Sequence, residues 1–132
     1  MEKRVCTTYL SVDWDTRKNS EPIRKERKEE IERLIIDDIG MQPIWQQHQW
    51  ILARQDHDLK NINEMLRKTL SGLFGKESAI KELQDRFQVQ AVLRIVFYFD
   101  KNTDVQELSL ERDIIAFLYQ ANVIYDLTYS MV

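Results

Sequence analysis

Apolar side chains recur along this chain with two different periods, and the switches between them mark the elements. Residues 4 to 12 alternate, with Cys6, Thr8, Leu10 and Val12 on one face and Val5, Thr7 and Tyr9 on the other, which predicts a strand. Asp13 to Glu21 carries no period and reads as a loop. Ser20 as a cap and Pro22 in a first turn open a helix in which Ile31, Leu34, Ile35 and Ile39 fall at helical spacing. Gly40 sits where a left-handed stop is needed. The first half of that helix is almost wholly charged and is expected to project into solvent.

Ile44 to Ala53 predicts a second strand, with His48, Trp50 and Leu52 on one side and Trp45, Gln47, Gln49 and Ile51 on the other. Its polarity places it at an edge or on a half-exposed face. Asp58 is positioned to cap a helix with an apolar stripe of Leu59, Ile62, Met65, Leu66, Thr69 and Leu70. The stretch from Ser71 to Gly75 breaks it, and a shorter helix runs from about Glu77 to Arg86 with Ile80, Leu83 and Phe87 inward. Gln88 to Asp100 is the strongest strand signal, apolar on both faces and therefore central. A turn over Asp100 to Gln106, a cap at Ser109 and a helix through Leu110, Ile114, Phe117, Leu118 and Ala121 lead to a last strand, Val123 to Tyr129.

The order β-α-β-α-α-β-α-β predicts an α+β fold: a four-stranded, ferredoxin-like sheet with a helical pair inserted between two split βαβ halves and helices mainly on one face. A mixed sheet with helices on both faces is the alternative. The 132 residues suit a single domain, residues 1–132. A hydrophobic fraction of 43% excludes a disordered chain, and a charged fraction of 31% with no long apolar run argues against a membrane span. The expected setting is cytoplasmic.

Chemistry is mostly excluded. Three glycines cannot supply a dinucleotide fingerprint, and one cysteine cannot form an internal disulfide or a multi-thiolate metal centre. Gly72, Gly75 and Lys76 have the wrong spacing for a phosphate loop, and Glu77 stands where a hydroxyl is required. Cys6 could be paired with His48 as a nucleophile and base, but no third, orienting residue accompanies them. Asp13-Trp14-Asp15 and Asp56-His57-Asp58 lack the converging oxygens of a hard-cation site. No metal and no cofactor are expected.

The basic residues Arg24, Lys25, Arg27 and Lys28 are interleaved with Glu21, Glu26, Glu29, Glu30 and Glu32, the pattern of a solvated helix. The net charge of -3, from 19 basic and 22 acidic side chains, likewise argues against nucleic acid as a partner. The tryptophans are more informative, because Trp14, Trp45 and Trp50 fall beside loops or on the half-polar strand and not in the helical stripes. Their ordinary role is to line the end of the sheet. As a binding surface they would be joined by His48 and Arg54 as polar handles.

Several local patterns in fixed order carry a resemblance. Gly40-Met41-Gln42-Pro43 followed by Trp45 closes the first helix, and Trp50-Ile51-Leu52 comes next. Val96-Phe97-Tyr98-Phe99, Leu108-Ser109-Leu110 and Tyr125-Asp126-Leu127-Thr128-Tyr129 follow. Together they resemble a widespread bacterial family of unknown function, DUF4279, over nearly the whole chain. Where that family has a longer basic hairpin between the two tryptophans, only Gln46, Gln47, His48 and Gln49 intervene here. The resemblance implies a stand-alone bacterial α/β domain and supplies no catalytic residues. The residues themselves point to a non-enzymatic, protein-binding module, an immunity protein being one concrete form. The alternative is a small-molecule sensor or enzyme with an aromatic pocket near Trp45, His48 and Trp50. A homodimer through an exposed strand edge is compatible with either.

Overall fold

The computed structural model describes residues 6–14, 21–57, 61–99 and 109–131. Five strands, β1 (Cys6–Trp14), β2 (Ile44–Gln46), β3 (Gln49–His57), β4 (Val89–Phe99) and β5 (Ile124–Met131), form one sheet in the order β2-β3-β1-β4-β5. The helices are α1 (Lys25–Leu34), α2 (Ile62–Leu70), α3 (Glu77–Phe87) and α4 (Arg112–Gln120). The α+β class is as expected, but the sheet is mixed and has five strands where four were expected. Because β1 runs antiparallel to both its neighbours, β3 and β4 are parallel to each other with β1 between them, the relation a split βαβ requires. Among these strands the pair that is parallel and directly hydrogen-bonded is β4 with β5.

The fifth strand arises because the segment expected as one strand from Ile44 to Ala53 is a hairpin. Gln47 and His48 take φ of 50° and 63°, the left-handed backbone of a two-residue primed turn. Trp45 thereby pairs with Trp50 on the same face of the sheet. β3 also runs on to His57, with Leu52 as an extra residue in the pairing to β1 between Ile51↔Ser11 and Ala53↔Leu10. This bulge lets Trp50, Leu52 and Ala53 all pack toward the core and turns His57 inward opposite Cys6.

One core holds the fold together. The inward residues of β1 (Cys6, Leu10, Val12) and β4 (Val89, Ala91, Leu93, Ile95, Phe97) cluster with buried side chains from all four helices. These include Ile31 of α1, Leu66 of α2, Ile80 of α3 and Phe117 of α4. Among the described residues, the opposite face of the sheet carries no helix.

Several local signals shift from expectation. The first helix starts at Lys25, leaving Pro22 before it, and the cap expected at Ser20 lies outside the described residues. Gly40 does end this helix, after a final π-turn over Ile35–Ile39, with φ of 82° and its N–H donating to the Ile35 carbonyl. The cap of α2 is Asn61, whose side chain accepts from the N–H groups of Asn63 and Glu64; Asp58 lies outside the described residues. At α4 the capping position is Glu111 and not Ser109. Asn63 anchors that helix start by donating to the Ser109 carbonyl and accepting from the Glu111 N–H. Arg67 then clamps Asp113 with two bonds of 2.9 and 3.0 Å, holding its carboxyl below the usual range.

A left-handed backbone at two consecutive non-glycine residues costs energy that Asn and Gly avoid. Replacing Gln47 and His48 together by Asn-Gly is expected to raise unfolding stability by about 1 kcal/mol, measured by urea denaturation. Loss of stability in that variant would contradict the primed turn.

Candidate binding surfaces

The residues singled out in the sequence gather at the hairpin end, with one exception, but on different faces. Trp50 is fully buried, its ring 4.6 Å from that of Trp45 at a tilt of 51°, and its indole N–H donates to Glu32 at 3.1 Å. Lys28 pairs with Glu32 at 3.2 Å and lies 5.1 Å from the Trp45 ring. Part of the charged helix face expected in solvent therefore folds down over the hairpin aromatics. His48 is exposed on the turn, edge-on to Trp45. Its carbonyl accepts from the Trp14 N–H, and the Trp14 indole donates to the Glu21 carbonyl. Arg54 is the exception, lying further along β3 on the helix-free face, beside Tyr9 and 4.0 Å from Asp56.

Alternation along β1 and β4 brings a polar network onto that helix-free face, centred on Arg94. Its guanidinium donates to Asp13 at 2.6 Å, to Ser11 at 2.8 Å and to Gln49 at 3.2 Å, and lies 5.8 Å from the Tyr9 ring. Partial burial works against the charge of Arg94. The hydrogen bond and charge of Asp13 outweigh it, and the pKa of Arg94 is raised. Tyr9, Asp13, Trp14, His48 and Arg94 line a shallow groove of about 420 Å³. Sequence reading missed Arg94 because it appears there only as a polar interruption of the strongest apolar strand.

A second polar cluster is sealed inside the core. Thr69 donates to the Met65 carbonyl, Thr8 bonds Thr69, and the Thr8 hydroxyl lies 2.9 Å from His57 Nε2. With both hydroxyl protons so committed, Thr8 accepts from a protonated Nε2. The histidine beside Cys6 is thus His57, while the expected partner His48 lies by Trp14 at the other end of β1. Burial raises the Cys6 thiol from 9.0 to about 12. A thiol held protonated in this way is a poor nucleophile.

The third surface lies between α4 and β5. Tyr119 is 86% exposed, Tyr125 54% and Ile115 52%, and these three with Leu110, Leu118, Asn122 and Val123 line a groove of about 540 Å³. Ile124 stands exposed beside it on the other face of β5. The sequence hid this surface, since Tyr125, Leu127 and Tyr129 alternate as an inward-facing set would. They do share the core face with Leu93, Ile95 and Phe97, but β5 is the end strand and its outer side is left uncovered among the described residues.

The sequence profile of the family described as Domain of unknown function (DUF4279) matches residues 21–131. The chain belongs to the DUF4279 family. Searches of curated proteins and of solved structures gave no match. The DUF4279 match begins after β1, yet β3 and β4 both pair with β1, so the folded unit reaches beyond the matched span. Among the described residues of this DUF4279 protein, no helix is long and apolar enough to cross a membrane. No group of three or more His, Cys, Asp or Glu residues among them is placed to hold a metal ion.

The raised thiol pKa makes two outcomes testable. Ellman's reagent at pH 8 should react with native Cys6 only as fast as the protein unfolds, and rapid stoichiometric labelling would contradict its burial. Because the folded pKa lies above the unfolded one, the thiol's contribution to stability is complete below pH 9. It is lost as pH rises from 9.0 toward about 12. Relative to Cys6→Val, the wild type should lose stability over that interval, and parallel pH profiles would contradict the shift.

Proposed function

We propose that this DUF4279 domain is a non-enzymatic protein-binding module whose contact surface is the α4–β5 groove. The observation that carries the reading is the exposed apolar set Ile115, Tyr119 and Tyr125 beside a sheet edge. Large apolar side chains gathered on a surface mark contact sites, and tyrosine anchors are favoured there because they bury much area with few rotatable bonds. The protonated Cys6 thiol and the inward-turned His57 support the non-enzymatic half of the proposal.

An immunity-type role is one form of this reading, in which the net charge of -3 would steer the domain toward a basic partner. The small-molecule alternative rests on the groove by His48 and Arg94. It is the weaker reading, because the donors of Arg94 are directed at Asp13, Ser11 and Gln49, and Trp50 is sealed beneath Trp45.

Affinity capture with the tagged full chain is expected to retain a protein, another chain or a second copy, in a defined ratio. Tyr119→Asp, at a position that supports no core packing, should weaken that complex by tenfold or more, roughly 1.4 kcal/mol, measured by titration calorimetry. Unchanged affinity in Tyr119→Asp and Ile115→Asp would remove this surface from the account.

A further inference from the structure

Resting on that reading, we infer that the occupant of the α4–β5 surface is a second copy of this chain, joined by antiparallel pairing of β5 with β5 about a twofold axis at Leu127. Among the described residues, β5 is an eight-residue end strand with β4 as its one neighbour in the sheet. In a strand paired on one side, alternate residues direct their N–H and C=O groups outward, where they can template another strand. Soluble proteins blunt such edges with lysine, proline or a bulge. Ile124–Met131 contains no lysine and no proline, and its register with β4 runs unbroken. The opposite edge, β2, is three residues long and offers far less.

The sequence of β5 is complementary to itself in this register. Centring the axis on Leu127 sets Leu127 against Leu127 and Tyr125 against Tyr129, both on the helix-bearing face. Aromatic cross-strand pairs of this kind stabilise antiparallel sheets. On the other face Ile124 meets Ser130, and Asp126 meets Thr128, so the single charge of the strand never faces its own copy. A stable interface removes on the order of 1,000 Å² or more of surface, beyond what strand edges alone supply. Ile115 and Tyr119 of α4, contiguous with Tyr125 across the groove, extend the contact on that same face.

The Asp126–Thr128 pairing gives a test specific to the register. Thr128 is exposed, so it can be changed without touching the core. Thr128→Asp places two carboxylate pairs across the axis, and Thr128→Lys places two opposite-charge pairs there. Analytical ultracentrifugation of the full chain through the micromolar range is expected to show a dimer whose dissociation constant rises about fivefold in Thr128→Asp and falls about fivefold in Thr128→Lys. Thermal melts of both variants serve as the folding control. A dimer indifferent to both substitutions would overturn the β5 pairing. A protein that stays monomeric throughout would overturn the second copy as occupant. If such a monomer still captures a different protein that Tyr119→Asp releases, the protein-binding reading survives its failure.

Discussion

The rest of the structure depends on β1 being hydrogen-bonded along both edges. Its residues Cys6 to Trp14 pair with β4 throughout and with β3 from Cys6 to Asp13. Three segments far apart in sequence are thereby fixed in a single register. That register decides which side chains face the helices, because a slip of one residue would exchange Leu10 and Val12 for Tyr9 and Ser11. It also sets where Arg94 can meet Asp13 and where His57 can meet Thr8. The polar network on one face and the sealed core on the other are two consequences of one pairing.

Distance from this central strand grades what the two edges can do. On the β2 side the sheet ends in a short hairpin, whose aromatics are covered by Lys28 and Glu32 from α1. At the β5 side α4 packs on α2 and α3, joined to α2 through Arg67 and Asn63. Gln84 of α3 fastens this corner from within. It donates to the Ala121 carbonyl and accepts from the Ala91 N–H, linking α3, the end of α4 and β4. The chain leaves this anchored corner as β5 with Tyr125 exposed beside α4. An edge of that kind is a place where another chain can add to the sheet.

Much of the fold was legible where one periodicity ran unbroken. The stripes of α2 and α3 and the two-faced alternation of β4 were readable because burial on one or both sides selects the residues directly. Gly40 was readable because a left-handed helix end favours glycine. The hairpin was not, because Gln47 and His48 adopt a turn normally marked by Asn or Gly and the alternation passes through it without interruption. The extra residue Leu52 was equally silent. Without it, Asp56 and not His57 would turn toward Thr8. Of the candidate site residues, Trp14, Trp45, His48 and Trp50 do converge on one end of the sheet. Trp50 converges as core, a distinction that rests on α1 folding over it. The α4–β5 surface escaped notice because an alternating strand looks the same whether its covering layer is present or stops short.

Native-state amide hydrogen exchange tests the central claim most directly, since a strand bonded on both edges can open only when the sheet itself comes apart. The amides of Thr7 through Asp13 are expected to exchange at the rate of global unfolding, together with those of β4, while β2 exchanges earlier by local opening. Amides of β1 that exchange as readily as those of β2 would contradict the account, because the strand assigned to hold the register would then be free to leave it.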